Sequence, residues 1–128
     1  MKPAAAAIYL FALTLLSTVA LANEIPFNQA QFDAARAAGT PVAVVFHADW
    51  CPTCRAQAPV LKGLTQTPEF KSLTLYIANF DTENALKKSL GVTKQSTIVV
   101  FRNGREAARS TGDTQQDNLA ALLRHAIS

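Results

Sequence analysis

Cys51 and Cys54 are the only cysteines in the chain, with Pro52 and Thr53 between them. Two thiols at this spacing can cycle between a dithiol and an internal disulfide, or supply half of a tetrahedral metal site. The pair follows an apolar, β-branched run, Val42 to Phe46, and opens a stretch with helical spacing from Pro52 to about Thr65. A helix N-terminus offers unpaired N–H groups and the positive end of its dipole, and both favour a thiolate over a thiol. Cys51, at that end, is therefore the candidate nucleophile. Cys54, one turn further in, is placed to resolve a mixed disulfide. Pro52 and Thr53 set the local rigidity and the donors that tune the couple, and neither carries charge.

Other uses of the pair fit less well. An inert disulfide here would close a very small loop and stabilise little. Zinc needs four ligands, and beyond the two cysteines only His47 and His125 are soft candidates. Haem attachment needs His after the second Cys, where the chain has Arg55. The pair therefore reads as a redox dithiol, with no metal and no bound cofactor expected.

The surrounding pattern says what must hold the pair. Asn28 can cap a helix over residues 29–38, anchored by Phe32 and stopped by Gly39. Val42–Phe46 reads as a strand buried on both faces, with 47–50 as loop. Pro59 falls inside the helix after the cysteines and should kink it. Strands follow at 73–80 and 97–101, separated by a helix at 83–90 that Asp81 or Thr82 caps and Gly91 stops. Asn103-Gly104 is a hairpin turn, returning residues 106–110 antiparallel. A last helix, 114–126, carries Leu119, Leu122, Leu123 and Ile127 on one side. The order α-β-α-β-α-β-β-α implies parallel strands joined through helices, plus an antiparallel edge. Phe27, Phe32, Phe46, Phe70, Phe80 and Phe101 are expected core.

The 128 residues carry 12 basic and 9 acidic side chains and are 49% apolar, which excludes a disordered chain and allows one domain. A formal charge of +3, with the basic residues scattered, gives no basic face for nucleic acid. Residues 1–22 read as a secretory signal peptide: Lys2, an apolar segment around Ile8–Leu16, then Ala20-Leu21-Ala22 before Asn23. An uncleaved membrane anchor is the alternative. The domain is then 23–128, in a compartment where disulfides form.

Phe46-His47-Ala48-Asp49-Trp50-Cys51-Pro52-Thr53-Cys54-Arg55, with Pro59, resembles the active-site segment of thioredoxins. Gly91-Val92, Thr97–Phe101 and Arg102-Asn103-Gly104-Arg105-Glu106 resemble the family's later strands and hairpin, so the likeness spans roughly Phe27 to Ile127. It implies a thioredoxin-like α/β fold, a central mixed sheet flanked by helices. The CPTC tetrapeptide after Trp50 also resembles exported reductants of cytochrome c maturation, without their insertion.

The resemblance implies roles and exposes departures. Trp50 would pack over the cysteines and contact substrate, or serve only as a hydrophobic lid. The loop facing the cysteines, Gln95, Ser96 and Thr97, would offer backbone hydrogen bonds to a substrate chain, beside Pro52 and Thr53. Ser96 stands where the family has a cis-proline. A cis bond before a non-proline costs about 2.5–4 kcal/mol, so Gln95–Ser96 is expected trans. A serine hydroxyl there can bond a thiolate or admit a metal ion. The family's buried Asp maps to Val45 and its partner Lys to Ile77, so that proton relay is missing. His47 is a candidate for tuning the Cys51 pKa or for a general base, against a plain strand-end role. Asp49 and Arg55 read as solvated charges.

The expected function is thiol–disulfide exchange with proteins in the periplasm, as a reductase and as a monomer. Electrons come from a partner dithiol, with a membrane donor as one source. The rival is a redox-inactive thioredoxin-fold module holding a metal ion or a client peptide.

Overall fold

The computed structural model describes residues 3–4 and 24–128; the signal peptide assigned to residues 1–22, its cleavage site and the membrane-anchor alternative lie outside the described residues. Five strands form one sheet in the order β1-β3-β2-β4-β5. They are β1 (Glu24–Pro26), β2 (Val42–His47), β3 (Thr74–Asn79), β4 (Thr97–Arg102) and β5 (Arg105–Thr111). Four helices accompany them: α1 (Gln29–Ala37), α2 (Pro52–Thr65), α3 (Asn84–Leu90) and α4 (Gln116–Arg124). A 3₁₀ turn at Pro68–Phe70 links α2 to β3.

β2 is the centre of the sheet, and Val42 to Phe46 are all buried, as a run apolar on both faces requires. One face packs Ala43, Val45, Leu75, Ile98 and Val100 against α2 and α4, where Leu61, Leu119 and Leu123 are buried. The other packs Val44, Tyr76, Val99 and Phe101 against Phe32 of α1 and Leu86 of α3. Phe32, Phe46, Phe70 and Phe101 are fully buried; Phe27 and Phe80 are half-buried and pack against the core from its edge.

The structure corrects five sequence expectations. Residues 24–26 form β1, parallel to β3, because Glu24 to Pro26 find a free sheet edge; three residues are too few to show a strand period. His47 is the last residue of β2, paired with Asn79, rather than loop. β4 runs antiparallel to β2 although a helix precedes it. The seven-residue α3 rises about 10 Å, half the length of a six-residue strand, so the chain re-enters the sheet from the end it left. Neither Asp81 nor Thr82 caps α3: Glu83 stands at its N-cap without a side-chain bond. The last helix is also shorter than expected, and His125 is its C-cap.

Local chemistry fixes the remaining boundaries. Asn28 caps α1 by accepting from the Gln31 N–H at 2.9 Å. Asn103 and Gly104 both take positive φ, 52° and 79°, in the β4–β5 turn. The Arg36 guanidinium donates to the Gly104 carbonyl at 3.0 and 3.3 Å and stacks 4.4 Å from the Phe101 ring centre. This clamp ties α1 to the hairpin.

Gly91 and Gly104 provide a test of that close approach. Both have positive φ, but a Cβ at Gly104 would sit 2.7 Å from the Arg36 carbonyl oxygen, whereas Gly91 has open space. Gly91→Ala should cost about 1 kcal/mol from backbone strain alone, and Gly104→Ala at least about 2 kcal/mol. Urea midpoints at unchanged slope measure both; equal costs would contradict the clamp.

Candidate functional site

β2 ends at His47, and the chain turns through Ala48-Asp49-Trp50 into α2. The Cys51 N–H donates to the Ala48 carbonyl at 3.1 Å, which closes that turn. Cys51 is the N-cap of α2, and its Sγ accepts from the Cys54 N–H at 3.3 Å. The sulfur thus occupies the place of a capping oxygen, facing an N–H that lacks a helical partner. Pro52 takes the first helical position, where its missing N–H is harmless. Pro59 lies exposed within the helix. Cys51 and Cys54 are free thiols, 3% and 1% exposed, so attack on a partner disulfide depends on a narrow opening.

The loop before β4 closes the site from the other side. The Ser96 N–H donates to the Phe46 carbonyl at 2.8 Å, and the Gly112 N–H donates to the Ser96 carbonyl at 3.1 Å. Gln57, buried on α2, donates to the carbonyls of Ser96 at 3.3 Å and Asp113 at 2.8 Å. So held, Ser96 places its hydroxyl 2.9 Å from Cys54 Sγ and 3.6 Å from Cys51 Sγ. The Gln95–Ser96 bond is trans, and Ser96 has φ +61°. A proline could not take that φ and would lose the bond to Phe46.

Electrostatics separate the two sulfurs. Burial disfavours the charged form of Cys51. The Cys54 thiol and N–H, the Ser96 hydroxyl and the Thr53 N–H outweigh it, and its pKa falls from 9.0 to about 7. Cys54 moves upward: burial and the demand of the Cys51 sulfur on its proton exceed the help from Ser96. The first cysteine is the readier thiolate and the second keeps its proton, the asymmetry expected of attacking and resolving thiols.

The other candidates are divided. Pro52 and Thr53 are exposed beside Cys51, Gln95 is half-buried, and Thr97 is buried. The Thr97 hydroxyl donates to the Lys94 carbonyl at 2.8 Å and meets Thr111 at 2.9 Å, so its side chain serves the loop. Trp50 is 58% exposed and donates its indole N–H to Asp81 at 2.8 Å. It is no buried lid. His47 is half-buried and pairs with exposed Asp49 at 2.9 Å. Asp49 and Arg55 are both exposed, as solvated charges are, and Asp49 also meets the His47 ring. Among the described residues no group of three His, Cys, Asp or Glu could hold a metal ion.

Sequence reasoning missed three contributors. Gln57 falls three residues after Cys54 on the buried side of α2, a polar residue where the pattern calls for an apolar one. Asp81, which with Thr82 reads from the sequence as a helix cap, instead accepts the Trp50 indole N–H. Glu24 lines a small cavity with His47, Cys54 and Gln57; its only sequence signal is that it is the first charge after the apolar leader.

Known proteins agree with this geometry. The sequence pattern of the thioredoxin family matches residues 23–125. The thioredoxin of Chlamydia muridarum is 32% identical over 82 residues, 64% of this chain and 78% of that protein. The thioredoxin of Chlamydia pneumoniae is 32% identical over 96 residues, 74% of this chain and 91% of that protein. The crystal structure of Trxlp from Edwardsiella tarda EIB202 superimposes with a TM-score of 0.77 at 39% identity, covering 79% of this chain and 98% of that one. The chain therefore belongs to the thioredoxin family and is a thiol–disulfide oxidoreductase.

Proposed function

We propose that the protein is exported to the periplasm and works there, as a monomer, to reduce disulfides in other proteins. Cys51 attacks as the thiolate and forms a mixed disulfide. Cys54 then attacks Cys51 Sγ, releases the reduced partner and leaves the chain oxidised. A partner dithiol, supplied with electrons at the membrane, restores the reduced pair. The leader-like residues 1–22 support export.

One observation carries the direction of exchange: every donor that holds the Cys51 sulfur is neutral. Backbone N–H groups, a hydroxyl and a thiol stabilise a thiolate moderately, and a pKa of about 7 is the value of a reducing thioredoxin. A strong oxidant stabilises its reduced form much further, with a nucleophile pKa of about 3.5. The His47 ring is engaged by Asp49, which supports a strand-end role rather than a charge spent on Cys51.

Cys51→Ser abolishes reduction of a protein disulfide, while Cys54→Ser accumulates mixed disulfides visible on non-reducing gels; intact turnover in Cys54→Ser would contradict the two-cysteine mechanism. In the reduced protein, Cys51 alkylation should rise with pH through a midpoint near 7. Ser96→Ala removes a bond that favours both thiolates, so it should move that midpoint upward and slow alkylation at neutral pH. An unmoved midpoint would show that the hydroxyl does not hold the thiolate.

A further inference from the structure

Glu24 is a carboxylate on the core-facing side of an edge strand. It pairs with Leu75, and Ile25 pairs with Tyr76. Leu75 belongs to the core beneath α2 and α4, while Ile25 packs on the opposite face. Strand alternation therefore turns Glu24 toward α2. There it lines a cavity of about 20 Å³ with Cys54, His47, Val45, Leu61 and Ile77. That space suffices for one water.

The groups around the carboxyl are few. Lys62 and Cys54 come from α2, His47 from β2 with its ring bonded to Asp49, and β3 presents apolar Leu75 and Ile77. Burial raises the Glu24 pKa above 4.5, and the charge of Lys62 partly opposes this. Val45 and Ile77, the positions without a relay, form the apolar wall of the same cavity.

We propose that Glu24 accepts the Cys54 proton, through a water in this cavity, when Cys54 resolves the mixed disulfide. The proposal rests on the exchange reaction described above. In the step, the Cys54 S–H proton passes to the Glu24 carboxylate, and the Cys54 thiolate attacks Cys51 Sγ. The Cys51–Cys54 bond forms, the bond from Cys51 to the partner sulfur breaks, and the partner leaves as a thiolate. The partner disulfide is reduced by two electrons and the cysteine pair oxidised; Glu24 later returns its proton to water. Burial makes this carboxylate more basic than an exposed one, which suits it to take up a proton.

The test uses the reduced protein and dithiobis(nitrobenzoate) in stopped flow. The first coloured thiolate released reports attack by Cys51, and the second reports resolution by Cys54. Glu24→Gln should slow the second release at least about tenfold near neutral pH and leave the first unchanged. The deficit should close at alkaline pH, where Cys54 ionises without help, and Glu24→Asp should recover part of the rate. A second release as fast as in the unsubstituted protein at every pH overturns the proposal. So does an equal slowing of both releases, which marks a structural effect, or a loss of the pH dependence on His47→Gln but not on Glu24→Gln. If the unsubstituted protein gives neither release, the exchange reading itself falls.

Discussion

The Ser96 N–H bond to the Phe46 carbonyl joins the two halves of the site. Phe46 lies in β2, whose end launches the helix that carries both cysteines, and Ser96 ends the loop before antiparallel β4. The bond sets how closely that loop approaches the sulfurs, and Gln57 locks it by holding the Ser96 carbonyl. Without this anchoring the hydroxyl would have no fixed distance to either sulfur. In this anchored loop Ser96 takes a positive φ.

Charge is managed at this site without charges. A thiolate in a buried place needs compensating dipoles, and here the helix N-terminus and one hydroxyl supply them. The same hydroxyl touches both sulfurs, so its proton can favour whichever carries charge at each stage. Proline at this position would give neither the hydroxyl nor the N–H. The chain thus combines the family's fold with a different way of setting its thiols, and the carboxylate that shares a cavity with Cys54 comes from the sheet edge rather than from its centre.

The sequence made the covalent chemistry legible. The CxxC spacing, the buried run before it and Pro52 after it together place Cys51 at a helix N-terminus, where the structure has it. The α2 boundaries and the Asn103-Gly104 turn were likewise readable, because proline, Asn-Gly and continuous β-branching act locally. Contacts made across the sheet were not. β1 exists only because β3 offers it an edge, and the direction of β4 depends on where α3 sends the chain. Glu24 and Asp81 acquire their surroundings from residues far along the chain, so neither their spacing nor their type announces them.

On the proposed function, Cys51 and Cys54 form a reversible couple poised to reduce, because only neutral donors stabilise the Cys51 thiolate. Equilibration of the pair with glutathione, read by the fraction of protein oxidised, measures this directly. The expected potential lies near that of thioredoxin, about −270 mV. A value near about −120 mV, that of a disulfide donor, or no reversible couple at all, would contradict it.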